Sequence, residues 1–183
     1  NNRLSKLRAA MINRRLDAVL VSSIPNITYL TNFSHFSNIE REALLFITFN
    51  KQYILTDGRY AEAVKNNIEN FELLETSPKL PFKKIVKDLA KKYKIKSIGL
   101  EEDNLTHSEY NSIVNYFNTA QYYSIHSIRN IKDKHEITKI EKACKLGDKV
   151  FDYILGKIKS GVSEKELAFE IEFFIKKAGA DIS

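Results

Sequence analysis

The sequence predicts an α/β domain, a mixed sheet of about six strands flanked by helices, followed by two helices with no surface of their own to lie on. Three observations carry this reading. Up to residue 127, short apolar runs of strand length alternate with helix-period patterns, as they do where a sheet is covered by helices. At Asp133 a D-x-x-E start signal, completed by Glu136, opens a long helix whose Ile137, Ile140, Cys144, Gly147, Phe151, Ile154 and Ile158 recur every three or four residues. After that helix only one more helical pattern precedes Ser183. The predicted division is residues 1–127 for the α/β domain and 128–183 for a hinge and two helices.

The elements follow in order. A basic amphipathic helix places Leu4, Leu7 and Met11 on one face, and residues 17–22, DAVLVS, form a short buried strand. Pro25 and Asn26 open a turn or short helix carrying Ile27, Tyr29 and Leu30. Residues 32–42, NFSHFSNIERE, have no clean period and read as a long loop. Residues 43–48 and 52–56 form a hairpin with Asn50 and Lys51 at the bend, and Asp57 caps the next helix. A strand follows at 71–75, and Pro78 and Pro81 introduce a helix with Phe82, Ile85, Val86, Leu89 and Tyr93 on its apolar face. Residues 97–101, SIGLE, are a further strand. Thr106 and Glu109 make a capping box for a helix lined by Tyr110, Ile113, Val114 and Phe117, and residues 121–125 are the last strand. Gly161 stops the long helix, and Ser163 with Glu166 starts the final one.

Composition excludes several classes. The 183 residues are 43% hydrophobic, enough for a core, and a single cysteine forbids an intrachain disulfide. Cys144 lies on the apolar helix stripe and is expected to be buried and inert. No apolar run reaches membrane-span length and no signal-peptide pattern opens the chain, so no membrane is expected and a cytoplasmic location is. A first residue other than methionine implies that the start is trimmed or incomplete. The net charge of +6 has two sources: five basic residues without an acid in 1–16, and eight lysines against Asp88 in 79–96. Those lysines occupy the face opposite the apolar one, and no nucleic-acid module accompanies them, so no nucleic-acid partner is expected.

Catalytic motifs are absent. There is no G-x-G-x-x-G, no P-loop, no H-E-x-x-H and no G-x-S-x-G. His35, His107, His126 and His135 are too dispersed for a local metal site, and Glu101, Glu102 and Asp103 read as a solvated acidic loop. Arg59 reads as a helix-start residue that fixes its turn, or that pairs with an acid on another surface.

Five stretches together resemble one family. NITYLTNF at Asn26–Phe33, ILTDGRYAEA at Ile54–Ala63 and IGLE at Ile98–Glu101 look like the N-terminal domain of the creatinase, aminopeptidase P and prolidase family. RNIKDKHEITKIEKACKLGD from Arg129 and IKSGVSEKELAFEIEFFIKKAGADIS from Ile158 resemble the first two helices of that family's pita-bread catalytic domain. Asn32 departs from the pattern, standing where a glycine is frequent. The resemblance implies the noncatalytic N-terminal part of a proline-specific metallopeptidase, an Xaa-Pro aminopeptidase or Xaa-Pro dipeptidase. It also implies a homodimer acting on short Xaa-Pro peptides, with a divalent metal pair (Mn, Co or Zn) held by residues downstream of Ser183. No catalytic residue and no metal ligand is assigned in this chain, and Asp181 is not taken as one. A creatinase-like amidinohydrolase and a noncatalytic binding module of the same fold remain alternatives.

The candidate site is the 32–42 loop, which is long for a connection inside a compact domain. Phe33 and Phe36 supply anchors, His35 a titratable group, and Glu40 and Arg41 adjacent opposite charges. In the resembled family the N-terminal domain of one subunit leans over its partner's cleft. The expectation is that His35, Glu40 and Arg41 form a substrate-proximal loop in trans, with Arg41 meeting a substrate carboxylate. The two terminal helices are expected to promote self-association through their exposed apolar stripe.

Overall fold

The central strands of the sheet are apolar on both faces and feed two cores. The computed structural model describes residues 2–37 and 39–180, so Asp181 lies outside the described residues. Helix α1 (Asn2–Asn13) leads into β1 (Ala18–Val21), then α2 (Ile24–Thr31), β2 (Ala43–Thr48), β3 (Gln52–Asp57), α3 (Gly58–Asn67) and β4 (Glu72–Thr76). The chain continues through α4 (Phe82–Lys92), β5 (Ser97–Leu100), α5 (His107–Ile113), a 3-10 turn at Val114–Tyr116, β6 (Thr119–Tyr122) and α6 (His126–Asn130). The strands form one mixed sheet in the order β4-β3-β2-β1-β5-β6. Only β2 runs against the rest: it is antiparallel to β1 and β3, while β1–β5, β3–β4 and β5–β6 are parallel.

Val19 and Val21 point to the face covered by Leu4, Leu7 and Met11 of α1 and by Ile27 and Leu30 of α2. Ala18 and Leu20 point to the other face, where Ile85, Val86 and Leu89 of α4 close the second core. The lysine-rich helix therefore packs as its periodicity requires, with its apolar stripe on the sheet.

Most expected elements are present, with displaced ends. The last strand begins at Thr119 instead of residue 121, because the Asn118 and Thr119 amides already bond the Lys96 carbonyl. It is followed by the short α6, which the sequence pattern did not reveal. Asn32 caps α2 with φ of 62°, a left-handed conformation that asparagine tolerates better than other residues with a Cβ. This accounts for an asparagine where the family often has glycine.

Residues 1–130 and 131–183 form two compact units. The second contains α7 (Lys134–Leu155) and α8 (Glu164–Lys177), each opened by the expected capping box, Asp133 with Glu136 and Ser163 with Glu166. Tyr153 of α7 donates to Glu170 of α8 and stacks against Phe174 at 4.7 Å. Two expectations need correction. The long helix ends at Leu155, well before Gly161, whose φ of 92° belongs to the connecting turn. Cys144 is exposed, since only Val150 and Ile154 of α7 are buried.

Candidate functional site

Parallel strands bring their carboxyl ends to one edge of a sheet, and ligands of open α/β folds bind outside that edge. Here five strands end there and β2 begins there. The edge therefore gathers the β1–α2 turn, the 32–42 loop, the start of α3 and the segment after β5.

Glu101, the last residue of the IGLE stretch, is 1% exposed. It is not the solvated acid its neighbours suggested. Its Oε2 accepts the Ser22 and Ser23 amides at 2.6 and 2.8 Å, and its Oε1 accepts the Asn26 side-chain amide. Asn26 Oδ1 in turn accepts from Arg129 at 2.6 Å. Burial pushes the Glu101 carboxyl above its ordinary range, against the downward pull of the Ser23, Ser22 and Asn26 donors. The carboxylate takes the place of an external anion at the amino end of α2, tying β1, β5, α2 and α6 together. It is a structural anion.

The 32–42 loop stands on this base and is held at several points. Phe33 and Phe36 are buried, meet edge to face at 4.9 Å, and Phe36 continues to the Tyr60 ring at 5.1 Å. Glu42, only 4% exposed, accepts the Ser37 amide at 2.5 Å and a hydrogen bond from the Tyr60 hydroxyl, which raises the Tyr60 pKa. The Thr56 hydroxyl donates to the Glu42 carbonyl at 2.7 Å.

Arg41 spends all five of its N–H donors inside the chain. Nε and Nη2 pair with Glu109 at 2.8 and 3.2 Å, Nη1 donates to the Ser22 carbonyl at 2.6 Å and Asn104 Oδ1 at 2.7 Å, and Nη2 also meets the Asn104 carbonyl at 2.8 Å. Its side chain is 22% exposed. Burial would raise the Glu109 carboxyl, but the bonds from Arg41 and Thr106 outweigh it and leave the group below its ordinary value. The expected encounter of Arg41 with a substrate carboxylate thus faces a guanidinium that is already fully engaged, and its visible work is to fix the loop. The sequence could not show this, because Asn104 and Glu109 lie more than sixty positions away.

The other two candidates are free to face outward. His35 is exposed and lies edge-on to Phe33 at 5.1 Å. Glu40 is exposed and its side chain reaches, among the described residues, only Arg59, at 3.5 Å, while Arg59 is clamped more tightly by Asp57 at 2.9 Å. Asp57 also accepts the Arg59 amide at 2.9 Å as the cap of α3, so the D-G-R turn is a self-contained ion pair. Among the described residues, no hydrogen bond or ion pair joins His35 to Glu40 or Arg41. Ile39 is 94% exposed on the same loop. Among the described residues no three His, Cys, Asp or Glu side chains are grouped as metal ligands.

Residues 3–131 match the model of the creatinase/prolidase N-terminal domain. The chain belongs to this family. An uncharacterized peptidase of Bacillus subtilis, YqhT, is 31% identical over 99% of this chain and 50% of its own length. The Xaa-Pro dipeptidase of Pyrococcus horikoshii is 27% identical over 99% of this chain and 49% of its own. A solved Xaa-Pro dipeptidase from Bacillus anthracis superposes with a TM-score of 0.83 at 26% identity, covering 97% of this chain and 49% of that one. The chain therefore spans about half the length of the relatives it matches. In this creatinase/prolidase N-terminal domain, the motif-bearing stretches hold the carboxyl edge together: Asn26 and Glu101 lie in its buried network, and Asp57 with Arg59 in the exposed pair beside the loop.

Proposed function

We propose that this chain is the noncatalytic N-terminal part of a metal-dependent Xaa-Pro peptidase, an aminopeptidase or dipeptidase, and that it serves subunit association and shaping of the active site. The chain's likeness to the first half of Xaa-Pro dipeptidases, extending through α7 and α8, supports the assignment. The observation that carries the finer reading is the loop itself: rigidly anchored by Arg41, Glu42, Phe33 and Phe36, yet presenting His35, Ile39 and Glu40 to the outside. Such a surface suits contact with a partner subunit's cleft. Arg41 keeps the loop in place and would reach a substrate carboxylate only by giving up Glu109.

The described residues do not fit a divalent metal pair. In the proposed enzyme the Mn, Co or Zn pair belongs to the other half, where it would activate water and polarise the scissile carbonyl. His35 and Glu40 would limit substrate length and orient the peptide from the neighbouring subunit of a homodimer.

The test uses the longer protein. It should cleave Xaa-Pro dipeptides with Mn²⁺ or Co²⁺, and the 183-residue chain alone should not. Cleavage of creatine instead would favour the amidinohydrolase reading. No hydrolysis of either would favour a binding module.

A further inference from the structure

Sheet edges are templates for pairing, and proteins guard them with charge, proline or cover. The two edges of this sheet differ. Strand β4 carries exposed Glu72 and Glu75, and Pro78 follows it closely. Strand β6, Thr-Ala-Gln-Tyr, carries no charge, no proline and no bulge.

The hydrogen-bond pattern fixes which groups of β6 are open. The Thr119 and Tyr123 amides bond the Lys96 and Leu100 carbonyls of the β5 side, so residues 119, 121 and 123 direct their backbone inward. The amides and carbonyls of Ala120 and Tyr122 point away, and no backbone partner for them is found among the described residues. The Tyr122 side chain is 48% exposed at the same edge, on the face to which Ala120 belongs.

We propose that β6 is the interface through which two copies of this chain join, antiparallel about a two-fold axis at Gln121, continuing the sheet from one subunit into the next. In this register Ala120 lies opposite Tyr122 of the second copy as a hydrogen-bonded pair. Each outward amide then finds an outward carbonyl, and each tyrosine ring lies over an alanine. Gln121 faces its own symmetry mate, where two amides bond each other without like charges. The same operation on β4 would bring glutamates together, which is why the second copy is assigned to β6. The inference rests on the proposed function only for the existence of a homodimer. The surface itself is read from β6.

The test is done on the 183-residue chain and on the longer protein, by sedimentation velocity at tens of micromolar. Both should contain a dimer, and Tyr122→Lys should weaken it at least tenfold while far-UV circular dichroism and the melting temperature stay at parental values. Tyr122→Phe and Glu72→Lys should leave it unchanged. With Cys144 replaced by serine, Gln121→Cys should form a disulfide-linked dimer on mild oxidation. Cα atoms of a non-hydrogen-bonded antiparallel pair lie about 4.5 Å apart, within the range a disulfide spans. A dimer that ignores Tyr122→Lys and never cross-links through Gln121→Cys would sink the β6 interface and leave the homodimer standing. A dimer then lost on replacing Ile140 and Phe151 would move it to the α7 stripe. A monomer in both proteins would remove the homodimer and the interface together.

Discussion

Arg41→Ala separates an anchoring role from a substrate-binding one. The substitution removes five donor contacts at once and leaves the Ser22 and Asn104 carbonyls and the Glu109 carboxylate without them. A hydrogen bond to a charged group contributes about 1.5–3 kcal/mol, but the pair is partly solvated, so the carbonyls and carboxylate regain water and the sum falls well short of additive. A loss of about 2–4 kcal/mol is expected. For a domain of this size that lowers the melting temperature by roughly 7–15 °C. Thermal unfolding of the 183-residue chain, followed by circular dichroism, provides the measurement. The sign of the pH dependence is also set. The folded-state pKa of Glu109 lies below the ordinary glutamate value, so its contribution is present above the unfolded value and is lost as pH falls through the depressed one. The gap between parent and variant should therefore be widest near neutrality and shrink in acid. A melting temperature within about 2 °C of the parent at pH 7 would refute the anchoring role, since that is far below the expected shift.

Other outcomes follow from the same edge. Glu101→Ala strands the Ser22 and Ser23 amides and the Asn26 side chain in a buried site, and should cost about 2–4 kcal/mol in chemical denaturation. Because burial raises the Glu101 pKa, the stability it contributes in its protonated form is full below the unfolded value and is lost as pH rises through the folded one; the advantage of parent over Glu101→Gln should accordingly diminish from pH 4 towards pH 7, read from urea midpoints at both pH values. Gly99→Ala would set a methyl 2.7 Å from Tyr123 Cβ and 2.9 Å from Leu16 Cδ1. Such overpacking should destabilise by about 1–3 kcal/mol, checked by the same melt.

The sequence reveals whatever is written locally. The three capping boxes, the hairpin bend and the apolar stripe of α4 each depend on residues a few positions apart, and each is found where its pattern lies. Periodicity alone does not say which covering surface exists, and so Cys144, on a good stripe, is exposed. The site was legible as a loop but not as a machine. Phe33 and Phe36 announce anchors by being aromatic in a polar run. The fate of Arg41 depends on Glu109 and Asn104, and that of Glu101 on Ser22, Ser23 and Asn26, partners that only the sheet order brings together. An acid directly after a strand, seventy-odd positions from its donors, carries no local sign that it is buried. The five-residue α6, with Ile128 as its one apolar side chain packed against the core, is likewise too short to declare itself.

The role of the 32–42 loop is tested most directly by kcat/KM of the longer protein on a short Xaa-Pro peptide, for the parent and for His35→Ala, with metal content measured alongside. The expected result is metal-dependent cleavage by the parent and a drop of about tenfold in the variant at unchanged metal content, equivalent to losing one contact worth roughly 1.4 kcal/mol. A parent that cleaves no Xaa-Pro peptide, or a variant within about twofold of it, would contradict the claim that this loop shapes a peptidase active site.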